Sequence, residues 1–348
     1  MSVTSRRTNI ADGSEQSPLL ASLADKVQGP MPKKGGDIII SPHGRKAAAV
    51  VPRTIGHRGF KAVAPENSMA SFRAAVAAGV DAVETDLQLT RDGVVVLYHD
   101  ATLQRCYGKK ARVHDLEWSQ VKELRSLREP HEPMPRLVDL LRYLDEPGQQ
   151  NVWLMLDIKT HDDAEEIMER TAEAFASVPS SSRPWSERVT PCCWNATYIK
   201  LSMKYLPDFP ITHVGVSLSY ARCLTDVPNI SFSMLRYSLA SPFGARFIRD
   251  MKDLGIPVYV WTVNEESWME WAVRRELAGV ITDEVDLFHE VLDGKKEKGK
   301  GKGSLYRSVR FLGEMALFHL LVSLFMAAQW LRHGSPRRRV RKALLMDG

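Results

Sequence analysis

The chain has 348 residues, 44% of them apolar, which is ordinary for a globular protein and enough for one large domain or two medium ones. Its net charge of +5 is uneven: residues 1–50 are +3, residues 295–310 and 332–342 are +6 each, and residues 51–294 are −8. An acidic body with basic termini argues against a nucleic-acid enzyme and indicates an anionic membrane surface as a partner.

Residues 1–50 are rich in Ser, Gly, Pro and Lys and show no lasting period, so they are predicted to form a largely disordered arm. This segment lacks the apolar core of a secretory signal. The four cysteines, Cys106, Cys192, Cys193 and Cys223, have no Cys-x-x-Cys spacing. They favour a reducing, cytosol-facing environment in which the cysteines are structural.

Residues 51–294 alternate short apolar runs with helical patterns, which is typical of parallel βαβ units. Eight such units close into a (β/α)₈ barrel of about 250 residues, so an α/β TIM barrel is predicted. Strands are predicted at residues 54–57, 82–89, 94–98, 152–158, 189–194, 211–217, 230–233, 258–263 and 279–282, and helices at residues 67–78, 137–144, 163–177, 196–205, 242–254 and 265–274. Because residues 94–98 follow residues 82–89 after a short turn, one of the nine strands is expected to lie outside the barrel or to be mistaken.

Local signals mark some of the predicted helix ends. Asp162 followed by Glu165 is typical of a capping box at a helix start. Gly79 and Gly255 stand where helix-ending glycines belong, since glycine adopts the left-handed backbone of that position without strain.

Residues 295–310 are predicted to be a basic linker, and residues 332–348 a basic tail. Between them, residues 311–331 are mostly apolar, and a stretch of about 17–25 such residues can span a bilayer. Basic residues on both flanks give no orientation, so a helix lying in the membrane interface is an alternative to a span. A helix docked on the barrel is a further alternative.

Glu84 and Asp86 lie two residues apart on a predicted strand, so both carboxylates share one face near the mouth of the barrel. Two such carboxylates repel each other, and a divalent cation removes that repulsion. Oxygen ligands favour Mg²⁺ or Ca²⁺ over zinc. A pair of exposed acids at a strand edge would be the alternative without a metal.

Asp157 and Lys159 repeat this spacing after a strongly apolar strand. Burial of both side chains is costly unless they are paired or bind a metal or an anion. Asp157 is therefore a candidate third metal ligand and Lys159 a candidate phosphate contact. The alternative is a simple Asp157–Lys159 ion pair.

His57 and His99 each end an apolar run and stand beside a charged residue, Arg58 and Asp100. The pair fits a general base and a general acid on either side of a reacting phosphate. The planar fork of Arg58 suits a phosphate oxygen. Trp261 closes another strand and either forms the wall of a substrate pocket or packs in the core.

In order and spacing, these motifs resemble the glycerophosphodiester phosphodiesterase family. They comprise His57-Arg58-Gly59, Pro65-Glu66-Asn67-Ser68, Glu84-x-Asp86, His99-Asp100, Asp157-x-Lys159, Trp261-Thr262-Val263-Asn264 and Gly279-Val280-Ile281-Thr282-Asp283. The apolar C-terminal stretch makes the chain most similar to the fungal membrane-associated branch, which acts as a phosphatidylglycerol phospholipase C. Two positions depart from the family pattern, since many members have Glu at position 157 and Thr at position 68.

The resemblance implies a TIM barrel and a divalent metal held by three carboxylates, here Glu84, Asp86 and Asp157. It implies catalysis by His57 and His99 and phosphate binding by Arg58 and Lys159, with Glu66, Asn67 and Trp261 as candidates for the substrate pocket. The expected reaction is hydrolysis of a glycerophospholipid, phosphatidylglycerol, through a cyclic glycerophosphate.

The sequence leaves three alternatives open: an enzyme that acts on a water-soluble glycerophosphodiester, a lysophospholipase D, and a non-catalytic lipid-binding protein. The location expected from the sequence is a cytosol-facing intracellular membrane, without distinction between endoplasmic reticulum, lipid droplet and mitochondrial surface.

Overall fold

The computed structural model of the chain describes residues 51–181, 183–294 and 305–345, so the predicted N-terminal arm and most of the predicted linker lie outside the described residues. Nine strands form one sheet in the order β1-β9-β8-β7-β6-β5-β4-β2-β3, and a pairing of β1 with β2 closes it. The strands are β1 (Arg53–His57), β2 (Ala82–Leu89), β3 (Val95–Leu97), β4 (Trp153–Ile158), β5 (Val189–Cys193), β6 (Ile211–Gly215), β7 (Ile230–Leu235), β8 (Val258–Trp261) and β9 (Gly279–Thr282).

Eight of these strands are parallel and form a closed ring. β3 pairs antiparallel with β2 on the outside of the ring, and its Val96 also forms an isolated antiparallel bridge with Arg136. The predicted TIM barrel is therefore confirmed, and β3 is the expected extra strand. Every residue of β2, β5, β6 and β7 is buried, as expected for parallel strands covered by helices on one face and by the barrel interior on the other.

The α-helices are α1 (Met69–Ala77), α2 (Gln104–Tyr107), α3 (Trp118–Val121), α4 (Leu137–Leu144), α5 (Ala164–Ser177), α6 (Ala196–Tyr205), α7 (Leu218–Ala221), α8 (Arg236–Ala240), α9 (Pro242–Asp253), α10 (Glu266–Arg274), α11 (Val285–Leu292), α12 (Leu305–His333) and α13 (Pro336–Leu345). Their apolar stripes face the barrel. In α4, Leu137, Leu140, Leu141 and Leu144 recur at helical spacing and are fully buried in the main core.

Two predicted helix starts differ from the structure. The cap of α5 is Asp163, which accepts hydrogen bonds from the backbone N–H groups of Glu165 and Glu166. Asp162 instead accepts the backbone N–H of Leu89, so the predicted capping box at Asp162 is wrong by one residue. α1 begins at Met69 because Asn67 has a φ of 52°, which a helix interior does not allow.

The C-terminal helices pack against the barrel. Phe318 of α12 is buried against Tyr237 of α8, with ring centroids 5.6 Å apart. In α13, Val340 is buried, and the Arg339 guanidinium lies over the ring of Tyr220. None of the helices in the described part of the chain is long and apolar enough to cross a bilayer.

Candidate active site

A cleft of about 110 Å³ opens at the carboxyl ends of the barrel strands. Its walls include His57, Arg58, Glu84, Asp86, His99, Asp157, Lys159 and Trp261, which are eight of the ten side chains predicted for the site. The other two, Glu66 and Asn67, stand behind the wall and hold Arg58 and Asp86. In TIM barrels this edge carries the chemistry, because the strand ends converge there.

The turn after β1 has an unusual backbone. Arg58 and Gly59 have φ of 58° and 82°, and a Cβ on Gly59 would lie 2.4 Å from the Ser71 hydroxyl oxygen. The backbone N–H of Arg58 donates to Glu84 Oε2 at 3.0 Å, and the carbonyl of Arg58 accepts the N–H of Asn67 at 3.0 Å. Glycine at position 59 therefore lets the turn approach α1 closely, and the turn fixes both Arg58 and Glu84.

Glu84, Asp86 and Asp157 form a cluster in which one carboxylate oxygen from each lies within 4.8 Å of the others. β2 carries the first two on one face, and β4 pairs with β2 so that Asp157 lies beside Asp86. All three side chains are buried. The interpretation of Glu84 and Asp86 as exposed edge acids is therefore wrong.

The cluster is electrostatically suited to a cation. Burial and the nearby charges of Asp86 and Asp157 raise the pKa of Glu84 well above its ordinary value. Burial also raises the pKa of Asp157. For Asp86 burial acts in the same direction, but the charges of Lys159 and Arg58 outweigh it and hold the pKa well below normal. Three buried oxygen donors with this mutual repulsion fit a hard divalent ion.

Lys159 reaches into the same cluster. Its Nζ lies 2.6 Å from Asp157 Oδ2 and 2.8 Å from Asp86 Oδ1. These two carboxylates raise the pKa of the ammonium above its ordinary value although burial lowers it, so Lys159 is charged. The Asp157–Lys159 ion pair exists, but it belongs to a larger group of charges that faces the cleft.

The Arg58 side chain is held by two carboxylates. Its Nη1 donates to Glu66 Oε1 at 2.8 Å, and its buried Nε forms an ion pair with Asp86 Oδ2 at 3.3 Å. Arg58 also lines the cleft, so its guanidinium places a fixed positive charge where an anion can bind.

A second arginine, not expected from the sequence, ties this group together. Arg105 forms paired hydrogen bonds with Glu66 and with Asp100, all between 2.7 and 2.9 Å. Glu66 thus joins Arg58 to Arg105, and Asp100 joins Arg105 to His99. The network fixes the cation and one histidine relative to each other.

Each histidine is held through Nδ1 by a carboxylate. His57 Nδ1 is 2.7 Å from Asp283 Oδ1, and His99 Nδ1 is 2.8 Å from Asp100 Oδ1. Burial and the charge of Arg58 lower the pKa of His57, and the same causes lower the pKa of His99 to about 3. Both rings are therefore neutral near pH 7. An Nδ1–H donated to the carboxylate leaves the Nε2 lone pair to accept a proton.

Sequence reasoning missed Asp283 as the partner of His57. Asn264 donates to Asp283 through its side-chain amide at 2.9 Å, and its amide oxygen accepts the Asp283 backbone N–H. The position of Asp283 in the sequence was the signal for this contact, because Asp283 follows the last barrel strand and that strand pairs with β1 in a closed ring.

Two tryptophans contribute apolar surface to the cleft next to the charged groups. Trp194 Nε1 donates to Asp157 Oδ1 at 2.6 Å, and Trp261 Nε1 donates to the backbone carbonyl of Ser233 at 3.0 Å. Their rings meet edge to face, with centroids 5.9 Å apart. Trp261 thus packs on its neighbours and also lines the cleft.

The Asp283→Asn variant is expected to lower kcat by about 10²-fold or more with little change in KM, because the amide no longer holds His57 in one tautomer. The negative charge of Asp283 raises the pKa of His57, so its loss should also move the acid limb of the pH–rate profile to lower pH. The exposed Asp286→Asn variant is the control. An unchanged kcat in Asp283→Asn would contradict this role.

A family model described as the glycerophosphoryl diester phosphodiesterase family matches residues 57–287, well over half of the chain. Glycerophosphodiester phosphodiesterase from Caldanaerobacter subterraneus subsp. tengcongensis is 27% identical over 66% of this chain and 93% of its own length. Lysophospholipase D GDPD3 of Mus musculus is 26% identical over 74% of this chain and 86% of its own length.

Solved structures agree on the fold. The Oleispira antarctica phosphodiesterase in complex with the product sn-glycerol-3-phosphate aligns with a TM-score of 0.62 at 21% identity, over 70% of this chain and 97% of that one. The barrel, the acidic cluster and the two carboxylate-held histidines define a phosphoric diester hydrolase. The chain belongs to the glycerophosphoryl diester phosphodiesterase family.

Proposed function

We propose that the chain hydrolyses a membrane glycerophospholipid, phosphatidylglycerol, to diacylglycerol and glycerol phosphate through a cyclic glycerophosphate. The observation that carries the proposal is the pair of neutral histidines, each held by a carboxylate, in the same cleft as three buried carboxylates and the guanidinium of Arg58. Such a cleft can bind a phosphodiester and move a proton on either side of it.

In the first step one histidine takes the proton from the 2-hydroxyl of the head-group glycerol, and that oxygen attacks the phosphorus. The bond to the diacylglycerol oxygen breaks, and the other histidine gives that oxygen a proton. This second histidine must be protonated beforehand, and the bound anionic phosphodiester favours that by raising its pKa. Water then opens the cyclic phosphate with the two proton transfers reversed.

Glu84, Asp86 and Asp157 would hold the divalent ion, Mg²⁺ or Ca²⁺, which when bound supplies positive charge next to the phosphate oxygens. Arg58 and Lys159 add fixed donors whose charges persist at neutral pH. They orient the diester and stabilise the charge that develops on its equatorial oxygens.

A membrane substrate is supported by charge and by apolar surface. The segments 295–310 and 332–342 carry +6 each, which favours an anionic cytosol-facing membrane. Between them, α12 exposes Leu317, Leu320, Leu324 and Trp330. We propose that this helix lies in the membrane interface beside the barrel, and that the protein works on an intracellular membrane surface.

A second candidate is lysophospholipase D activity, because a curated relative that covers 74% of the chain carries that name. The same site would serve, since a lysophospholipid also has a free 2-hydroxyl next to its phosphodiester. The products differ: the base or alcohol of the head group leaves, and the acyl chain stays on the phosphorylated glycerol.

Product analysis distinguishes these reactions. Purified protein is incubated with mixed phospholipid vesicles, with and without EDTA, and the products are identified by mass. We expect diacylglycerol and glycerol phosphate from phosphatidylglycerol, and no turnover of a 2-deoxyglycerol analogue of the head group, which lacks the attacking oxygen. Release of choline or ethanolamine from lysolipids would favour lysophospholipase D. Cleavage of soluble glycerophosphodiesters alone would favour a soluble substrate. Lipid binding without metal-dependent turnover would favour a non-catalytic role.

A further inference from the structure

A second cavity lies beside the catalytic cleft, between the barrel and the C-terminal helix α12. It has a volume of about 560 Å³, within the range of ligand pockets in proteins. Its apolar lining comes from Val216, Leu218, Phe243 and Val322. Val216 directly follows β6 and also lines the catalytic cleft, so the two cavities are adjacent.

This second cavity, called the groove below, lies on the far side of the strand ring from His57. β6 is four strands from β1 in either direction, so it lies diametrically opposite His57. The charged groups proposed to hold the phosphate and the metal lie on β2 and β4, or directly after β1 and β4. A substrate whose phosphate contacts those charges can extend past the Trp194 and Trp261 wall towards Val216 and then into the groove.

The rim of the groove suits a molecule that enters from a lipid surface. Phe243 is 77% exposed despite lining the groove, and Arg246 lies on the same face of α9, three residues on. The Arg246 side chain is 74% exposed, with its guanidinium 3.9 Å from Asp250. An exposed aromatic ring beside an exposed arginine fits the boundary between acyl chains and phosphate head groups.

We infer that this groove binds an acyl chain of the substrate, and that α12 supplies one wall of it through Val322 and Ser323. The inference rests on the proposed function and adds an acyl-binding site to it. The C-terminal helix is then part of the substrate site as well as a contact with the membrane. Each methylene that leaves water for such a groove strengthens binding about fourfold, so chain length should affect turnover.

The test uses full-length protein and lysophosphatidylglycerol with a hexanoyl or a myristoyl chain, each kept below its critical micelle concentration. Two variants fill the groove from opposite walls, Ser219→Trp from the barrel and Ser323→Trp from α12; both serines are exposed. Ala328→Trp is the control. It is exposed on the same helix about 140° around the axis from Ser323 and adds the same ring outside the groove.

We expect wild-type kcat/KM to be at least about tenfold higher for the myristoyl than for the hexanoyl substrate, the effect of two methylenes or more. Both groove variants should lose most of this ratio, and Ala328→Trp should keep it. A wild-type ratio near one, or an unchanged ratio in Ser323→Trp, would overturn the inference while the proposed function stands.

Binding of a fluorescent myristoyl lysolipid to the same four proteins is measured in parallel. Binding weakened by both groove variants supports the groove even if no phosphodiester is hydrolysed, and equal binding by all four proteins overturns it. Absence of turnover for both lysolipids and for phosphatidylglycerol vesicles would instead refute the proposed function.

Discussion

Replacement of His57 by alanine is expected to lower kcat/KM by about 10²- to 10⁴-fold, the usual contribution of a positioned acid or base. His57 is held by Asp283 and faces the cleft, and its neutral ring has a lone pair for the substrate proton. Product release from phosphatidylglycerol vesicles measures the effect. His114→Ala, at a histidine on the surface outside the cleft, should keep wild-type activity.

The pH dependence follows from the same residue. Protonated His57 cannot accept a proton, and burial lowers its pKa below the ordinary value of 6.5. With His57 as the base, kcat/KM measured with saturating metal should therefore fall as the pH drops below about 6.5 through the pKa of His57, and it should fall again at higher pH as the other histidine, the acid, loses its proton. Full activity of His57→Ala, or an acid limb centred above pH 7, would contradict the assignment of His57 as the base.

Replacement of Glu84 by glutamine should weaken divalent-metal binding by at least about 10²-fold, the upper end of what the loss of an outer-shell partner costs. The amide oxygen can still accept the Arg58 backbone N–H, so the turn after β1 is retained while one ligand charge is lost. Calorimetric titration with Mg²⁺ and with Ca²⁺ gives the affinity independently of turnover, and activity at rising metal concentration should show the same shift.

The matched control for this experiment is Glu173→Gln, an exposed glutamate of α5 with a surface ion pair to Arg170. It should bind metal like the wild type. If Glu84→Gln folds, keeps wild-type metal affinity and remains inhibited by EDTA, the metal lies elsewhere and the cluster of Glu84, Asp86 and Asp157 is not its site.

The barrel could be predicted because its strands leave a strong periodic signal. Fully buried parallel strands appear as short apolar runs, and Glu84-x-Asp86 and Asp157-x-Lys159 mark strand ends where polar side chains would otherwise be costly. An extra strand outside the barrel could be predicted because the turn between β2 and β3 is too short to contain a helix.

The sequence did not show the contacts between segments that are far apart in the chain. Asp283 is 226 residues from His57, and only closure of the ring through the β1–β9 pairing brings them together. Arg105 is 39 residues from Glu66, on a short helix without a clear periodic pattern. The docking of α12 depends on single contacts such as Phe318 with Tyr237, which amphipathicity alone does not specify.

The left-handed backbone of Arg58 also has a consequence for protein engineering. A residue with a side chain held in that region costs on the order of 1–3 kcal/mol, which glycine would largely avoid. Glycine would also remove the ion pairs of the buried Arg58 side chain with Glu66 and Asp86, and the loss of one partner of a buried pair costs about 3–5 kcal/mol. A screen for resistance to heat alone should therefore retain arginine at position 58, although its backbone is strained.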